Sequence, residues 1–457
     1  MEWIAILILI LSFVTLLLLG VPVAWSLGLS SFFTLLVSVP AMPAATTIAQ
    51  RMATGLDSFS LLAIPFFVLA GEIMNKGGIA NRLIDFAKGL TGKLPGGLLY
   101  VNIIAAMLFG AIAGSAAAAA SALGSILGKR MDDEGYPKTL GVAVNITSST
   151  TGLIIPPSNV LIIYSLASGG VSIAALFVAG YLPGILLGVS LMICAAIFIK
   201  KNKLPYAEAV SFGYLAKAFW RAVPSLFLLI LVIGGIVAGI FTATEASAIA
   251  VVYTLLLSLV YRELKLSELP GILVRSSETT AVVLLLIGTS MSMSWVMSAE
   301  DIPQLISEFM LTLSDNKWVI LIVINIILLF VGTFMDITPA VLIFTPIFLP
   351  VVTKVGVDPV HFGMIMVVNL CIGLCTPPVG SLLFVGVSIA KISLTQVLRP
   401  LLPFFLAMII ALALITLFPE ITLFLPRVFD NISFNLRNDD EILKIINNQN
   451  NTTANSV

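Results

Sequence analysis

The sequence predicts an all-α polytopic membrane protein, built as an inverted repeat with two re-entrant helical hairpins and two broken helices. Three observations carry that prediction. Hydrophobic residues make up 59% of the chain and charged ones 10%, in one apolar run after another, which places most of the chain in lipid. Four of those runs break at Gly/Pro-containing stretches, and the breaks occur as two similar pairs, one in each half. Lysine and arginine cluster in alternate loops.

The expected full spans are ten, near 3–21, 22–40, 58–75, 138–168, 172–199, 224–240, 244–262, 278–297, 359–390 and 400–426. The first follows acidic Glu2, with no basic leader and no small-residue cleavage site, so it reads as a retained span and not a signal peptide. Two further runs, 97–130 and 317–353, are too long for one crossing at about 20 residues per span. Each has a turn in its middle, which predicts a hairpin of two half-helices. With the N-terminus outside, inner loops hold Lys76, Arg82, Lys88, Lys93, Lys129, Arg130, Lys138, Lys200, Lys201, Lys203, Lys217, Arg221, Arg262, Lys265, Arg275, Lys391 and Arg399. Outer loops between spans hold only Arg51, Lys317 and Lys354. That asymmetry follows the positive-inside rule. The polar, Asn-rich end is expected to be disordered.

The halves agree element by element. Each has two spans, a third span, a short amphipathic stretch (Ile79–Ile84 against Ile302–Ile306), a hairpin, a turn with Pro137 or Pro359, a broken span and a last span. Five crossings separate the hairpins, an odd number, so they enter from opposite sides and the repeat is inverted.

The breaks are Gly110-Ala-Ile-Ala-Gly114-Ser115 and Gly152-Leu-Ile-Ile155-Pro156-Pro157-Ser158-Asn159, then Gly332-Thr-Phe-Met-Asp336-Ile-Thr338-Pro339 and Gly373-Leu-Cys-Thr376-Pro377-Pro378-Val-Gly380. Unwound backbone at membrane depth survives only around a polar cavity, and paired interruptions in two halves point to the binding site of a secondary transporter. Ser115 is placed to N-cap the run from Ala116, and Thr338 to cap a helix with Pro339 at its first position. Thr376-Pro377 repeats that grammar. A half-helix N-terminus carries about half a positive charge and suits a carboxylate, while freed carbonyls with hydroxyls and a carboxylate suit a hard cation such as sodium. Asp336 is an intramembrane carboxylate far from any basic residue in sequence. It reads as a sodium ligand, with a helix-capping role as the simpler alternative. Thr150 and Thr151 are candidate hydroxyl ligands whose bland alternative is a bond back to their own helix. Glu72, Glu278 and Glu420 read as solvated span ends, and Glu245 as either a helix N-terminal carboxylate or a functional group. Zero net charge argues against nucleic-acid partners. Three cysteines and one histidine give neither a disulfide framework nor a zinc set. No phosphate loop, nucleophile elbow or paired-carboxylate site is present, so the chain reads as a transporter and not an enzyme.

Those break motifs, with Gly20-Val-Pro-Val-Ala24 and Gly239-Ile-Phe-Thr-Ala-Thr-Glu245-Ala, resemble the DctM-type large membrane subunit of tripartite ATP-independent periplasmic (TRAP) transporters over about residues 1–426. The polar tail departs from that pattern. The resemblance implies a sodium-driven elevator in the bacterial inner membrane that uses no cofactor and has sodium as coupling ion. It also implies membrane lipids, a small four-helix membrane subunit and a periplasmic solute-binding protein as partners, and an organic acid as substrate. The likeness is nearest the sialic-acid branch, with C4-dicarboxylates next. By position, Ser115, Gly152 and Pro156 belong to a first sodium site, and Gly332, Asp336, Gly373 and Thr376 to a second. Ser115, Pro157, Ser158 and Gly380 face the substrate.

The implied domains are scaffold helices at 1–75 and half of a moving transport domain at 76–200 (hairpin 97–130, broken helix 138–168). Scaffold helices and arms follow at 201–297, the other transport-domain half at 298–426 (hairpin 317–353, broken helix 359–390), and the tail at 427–457. The rival reading is a free-standing sodium/dicarboxylate symporter, against which the Gly-Ser-Ala and Pro-Ser-Asn triplets count. A structural or channel-like subunit would not need two matched breaks with a buried aspartate.

Overall fold

A computed structural model describes residues 2–91, 94–202, 211–314, 316–377 and 380–429; Lys93, Lys203, Pro378 and the expected tail from 430 onward lie outside them. The described residues form helices and turns, with no β-strand. Eight helices among them are long and apolar enough to cross a membrane, or nine with the bent pair Lys138–Ile154 and Asn159–Ala167, which turns by 51°. By length and composition this gives eight or nine candidate spans among the described residues, against the ten expected, and Lys317–Phe334 and Ile337–Lys354 among them are the two arms of the expected second hairpin. The first two helices are short, Glu2–Leu18 and Val23–Leu35, and Gly20 and Pro22 separate them.

Elsewhere the boundaries move for identifiable reasons. A helix at Ala41–Leu56 occupies what read as a loop, because only Ala44 and Ile48 on it are buried and its apolar pattern is weak. The span expected at 224–240 starts at Phe212, where Lys217 and Arg221 had masked the helical pattern. That expected at 278–297 is the 31-residue helix Leu269–Ala299. The last expected span divides into Leu394–Leu417 and a helical stretch at 420–429, separated at Phe418 and Pro419. Proline removes the N–H that a continuous helix would need there. Glu245 closes a capping box: its Oε2 accepts from the Thr242 N–H at 2.8 Å, and its N–H donates to Thr242 Oγ1 at 3.2 Å. The helix-terminal reading of this residue is the one observed.

The centre of the fold is made by the break-bearing elements. The helix Lys138–Ser149 is buried continuously from Leu140 to Ser149, and Pro359–Gly373 from His361 to Gly373. A helix buried all round must satisfy its polar side chains internally. Thr147 donates to Ala143 O (2.9 Å), Thr150 to Thr147 O (2.7 Å) and Thr151 to Ser148 O (2.6 Å). The hydroxyls of Thr150 and Thr151 are thus spent on their own helix, the simpler of their two readings. Cys371 and Cys375 are buried as free thiols.

The two broken spans pack reciprocally. Asn159–Ala167 lies against the start of Pro359–Gly373, with Tyr164 Oη donating to Pro359 O at 2.6 Å. A Cβ on Gly363 would sit 2.3 Å from the Tyr164 ring. Ser381–Ala390 packs in turn on Lys138–Ser149, where a Cβ on Gly386 would sit 2.4 Å from Ile146. A second pair of close approaches repeats the theme. A Cβ on Gly110 would stand 2.3 Å from Gly152 Cα, and one on Gly373 would stand 2.6 Å from Gly332 Cα. In each half the glycines let backbone cross backbone, the leading helix of the helix–turn–helix pair on the broken span.

Candidate functional site: two helical turns around one cavity

Each half places a tight turn next to its own broken span. In the first, Gly97–Ala113 ends at Gly114, in the left-handed region at φ +60, whose N–H donates to Gly110 O at 2.8 Å. Ser115 then N-caps Ala116–Asp133, its Oγ accepting from the Ala118 N–H at 3.3 Å. A Cβ on Gly114 would lie 3.3 Å from Pro157 O and 3.7 Å from Asn159 Nδ2, so this turn touches the first break. In the second half Lys317–Phe334 ends at Met335, and the next helix runs Ile337–Lys354.

That start corrects the expected Thr338 cap. Asp336 holds the N-cap position, Thr338 is already the second helical residue, and Pro339 is the third. Proline is tolerated there because the first turn has no carbonyl partner for its missing N–H. The Asp336 side chain makes no capping bond to the helix beyond it. It shares the cavity wall with Ser381, the first residue of the half-helix after the second break.

The two turns meet at a cavity of about 610 Å³, lined by Ser115 and Asp336 together. Asn159, Ser381, Glu72 and Asn75 are among the polar groups that share its wall. Of the residues expected to form the site, Ser115 and Asp336 line this cavity. The others stand behind it. Gly152, Gly332 and Gly373 are the backbone crossing points. Pro156 and Pro157, joined by a cis peptide bond, shape the first break. Ser158 is buried and donates to Leu153 O at 2.6 Å. Thr376 is not the helix cap read from Thr376-Pro377: it donates to Ile372 O at 2.8 Å, and the second half-helix starts at Ser381 with Gly380 at its N-cap. A Cβ on Gly380 would collide with the Leu374 and Thr376 carbonyls, at 2.7 and 2.8 Å.

Four cavity groups were missed or misread. Asn159 closes the first break motif, two residues past its proline pair, and Ser381 stands three residues past the second pair, so the residues just beyond each pair carried the signal. Glu72 and Asn75 are spaced i, i+3, which puts them on one helix face. Glu72 is no simple solvated span end: it lines the cavity and pairs with Arg275 (Oε2 to Nε, 3.5 Å). Among the described residues no group of three or more His, Cys, Asp or Glu converges. What the site offers is the unpaired Asp336 carboxylate, the Glu72 carboxylate held by Arg275, hydroxyls and amides, a donor set for a hard monovalent cation and a polar organic anion.

The sequence matches "Tripartite ATP-independent periplasmic transporter, DctM component" over residues 10–421. The chain belongs to the DctM family. It is 55% identical over 418 residues to "Uncharacterized protein YgiK" of Salmonella typhimurium, covering 92% of this chain and 96% of that one. It is 40% identical to the "C4-dicarboxylate TRAP transporter large permease protein DctM" of Pseudomonas aeruginosa (88% and 94% covered). The "Sialic acid TRAP transporter large permease protein SiaM" of Vibrio cholerae is also 40% identical (83% and 89% covered). The fold resembles the crystal structure of the Alcanivorax borkumensis YdaH transporter, with a TM-score of 0.64 at 13% identity over 84% of this chain and 89% of that one. This DctM protein is thus a multi-pass bacterial inner-membrane transporter subunit and not an enzyme. Equal identity to the dicarboxylate and sialic-acid permeases leaves its substrate unassigned.

Proposed function

We propose that this chain is the large permease subunit of a sodium-coupled, binding-protein-dependent importer of an organic acid anion. The observation that carries the reading is the convergence of two matched turns on one polar cavity, with Asp336 open to it. A carboxylate at membrane depth is expensive unless it has a cation to hold. Sodium at Asp336 uses its carboxylate together with carbonyls freed at the second break near Gly332, Gly373 and Thr376. A second sodium sits near Ser115, Gly152 and Pro156. The substrate anion lies between them, toward the turn at Ser115, with Pro157, Ser158 and Gly380 shaping its seat.

The two helix–turn–helix pairs are read as re-entrant because their turns border an internal cavity. Together with the broken spans they make the moving body of an elevator, at 76–200 and 298–426, and the remaining spans make the scaffold. The reciprocal packing of the broken spans supports the inverted repeat. A small four-helix membrane subunit and a periplasmic solute-binding protein complete the tripartite system that the family description names.

The test is uptake into proteoliposomes containing this chain and its small partner, using labelled sialic acid and, separately, a C4-dicarboxylate. Uptake that needs both an inward sodium gradient and the binding protein supports the reading and selects the substrate. Uptake without the binding protein contradicts it in favour of a free-standing symporter.

A further inference from the structure

A second cavity, of about 370 Å³, shares no lining residue with the first. It lies between the lysine-bearing end of Ala116–Asp133, the helix Lys138–Ser149 and the far end of Ser381–Ala390. Lys129, Lys138 and Lys391 border it, with Asp132 as the one acid on its wall. Asp132 pairs with Lys138 at 3.6 Å, so the wall carries a positive excess.

Its floor holds two buried amides, Asn102 and Asn145, which are 1% and 4% exposed. Each has a side-chain Oδ1 with no hydrogen-bond partner among the described residues. The orientation of Asn145 is fixed, because its Nδ2 donates to Ala120 O at 2.8 Å, and its Oδ1 is therefore a free acceptor. A buried unpaired acceptor is costly unless a donor reaches it. Lys391 stands at the rim as the C-cap of Ser381–Ala390, in the left-handed conformation that commonly ends a helix.

Positive rim and acceptor floor ask for a ligand with both an anionic group and hydroxyl donors. We propose that this cavity is a second binding site, for a small hydroxylated organic anion that enters from the cytoplasm. The side it faces rests on the lysine asymmetry; the site itself does not depend on the transport reading. Loading from that side would make it a sensor of accumulated hydroxy acid.

The test is equilibrium binding of L-malate to the purified full chain in detergent, at low salt because rim charges are screened. Succinate, which lacks the hydroxyl, is the comparison ligand. Gly128→Leu fills the cavity from a position where a Cβ meets nothing within 4 Å, and it replaces glycine with a better helix former. Lys391→Met removes one rim charge. Each is expected to weaken malate binding roughly tenfold, the scale of one charge-assisted bond, with the melting temperature maintained. Succinate is expected to bind several-fold more weakly than malate, and Asp336→Asn to leave malate binding in place. The proposal is overturned if malate fails to bind at millimolar concentration, if both variants bind it normally, or if Asp336→Asn alone removes binding. Occupancy only by added phosphatidylglycerol, with no malate binding, would assign the seat to a lipid headgroup and overturn it equally.

Discussion

The two turns that meet at the main cavity have the same construction and different chemistry. At the first, Ser115 caps the helix that follows and the turn carries no charge. At the second, Asp336 occupies the same structural position but makes no side-chain capping bond, and it lines the cavity together with Ser381 of the second break. One turn spends its side chain on its own helix, and the other leaves a charge facing the cavity. One N-cap position can thus be filled by a side chain that closes its own helix or by one that leaves a charge facing the cavity.

The largest expected effect breaks that asymmetry at its charged end. Asp336→Asn keeps the shape of the turn and should reduce sodium-driven uptake to background while the chain still assembles with its small partner. Uptake near the normal level with unchanged sodium dependence would assign the aspartate to structure. Next come the crossings that hold each turn against its break. Gly110→Ala and Gly373→Ala place a methyl 2.3 and 2.6 Å from the Cα of the facing glycine. Backbone cannot yield as a flexible side chain does, so each should lose about 1–3 kcal/mol. Thermal unfolding in detergent checks this, with Gly128→Ala as a control expected to unfold at the normal temperature; equal melting of all three would remove the crossings from the account.

Smaller effects sharpen the comparison. Ser115→Ala removes the cap, worth about 1 kcal/mol, and should weaken sodium coupling less than Asp336→Asn does, because the carbonyls around it remain. Unchanged sodium dependence would leave Ser115 as a cap and nothing more. The smallest change is expected at Glu72→Gln. Its pair with Arg275 is partly exposed, so the stability change should fall within about 1 kcal/mol. Removing a negative charge from the cavity wall should tighten the apparent affinity for an anion slightly; weaker substrate affinity would show that Glu72 binds substrate directly.

Much of this site was legible because its parts are local. Gly114 and Ser115, the double proline after Ile155, and Asp336 each announce a break from a few consecutive residues, and the structure places turns or breaks at all three. The start of the second half-helix was misjudged by two residues because proline is acceptable throughout a first turn, so Pro339 does not mark the beginning. Ala41–Leu56 escaped because its apolar face is only two residues wide. The pairing of Gly110 with Gly152 and of Gly332 with Gly373 is tertiary and could not be read along the chain; the sequence offers Gly152, Gly332 and Gly373 as ligand positions, and the structure adds that they let two backbones touch. Thr376 was misread for a related reason, since a hydroxyl beside a proline does not reveal whether it points forward to cap or back to its own helix.

Whether Asp336 holds sodium is tested most directly by the sodium dependence of thermal stability, for the purified chain and for Asp336→Asn. A bound ion stabilises the folded state in proportion to its occupancy. The melting temperature should rise as sodium replaces choline in the normal chain and rise markedly less in the variant. An equal rise in both proteins would contradict sodium binding at Asp336.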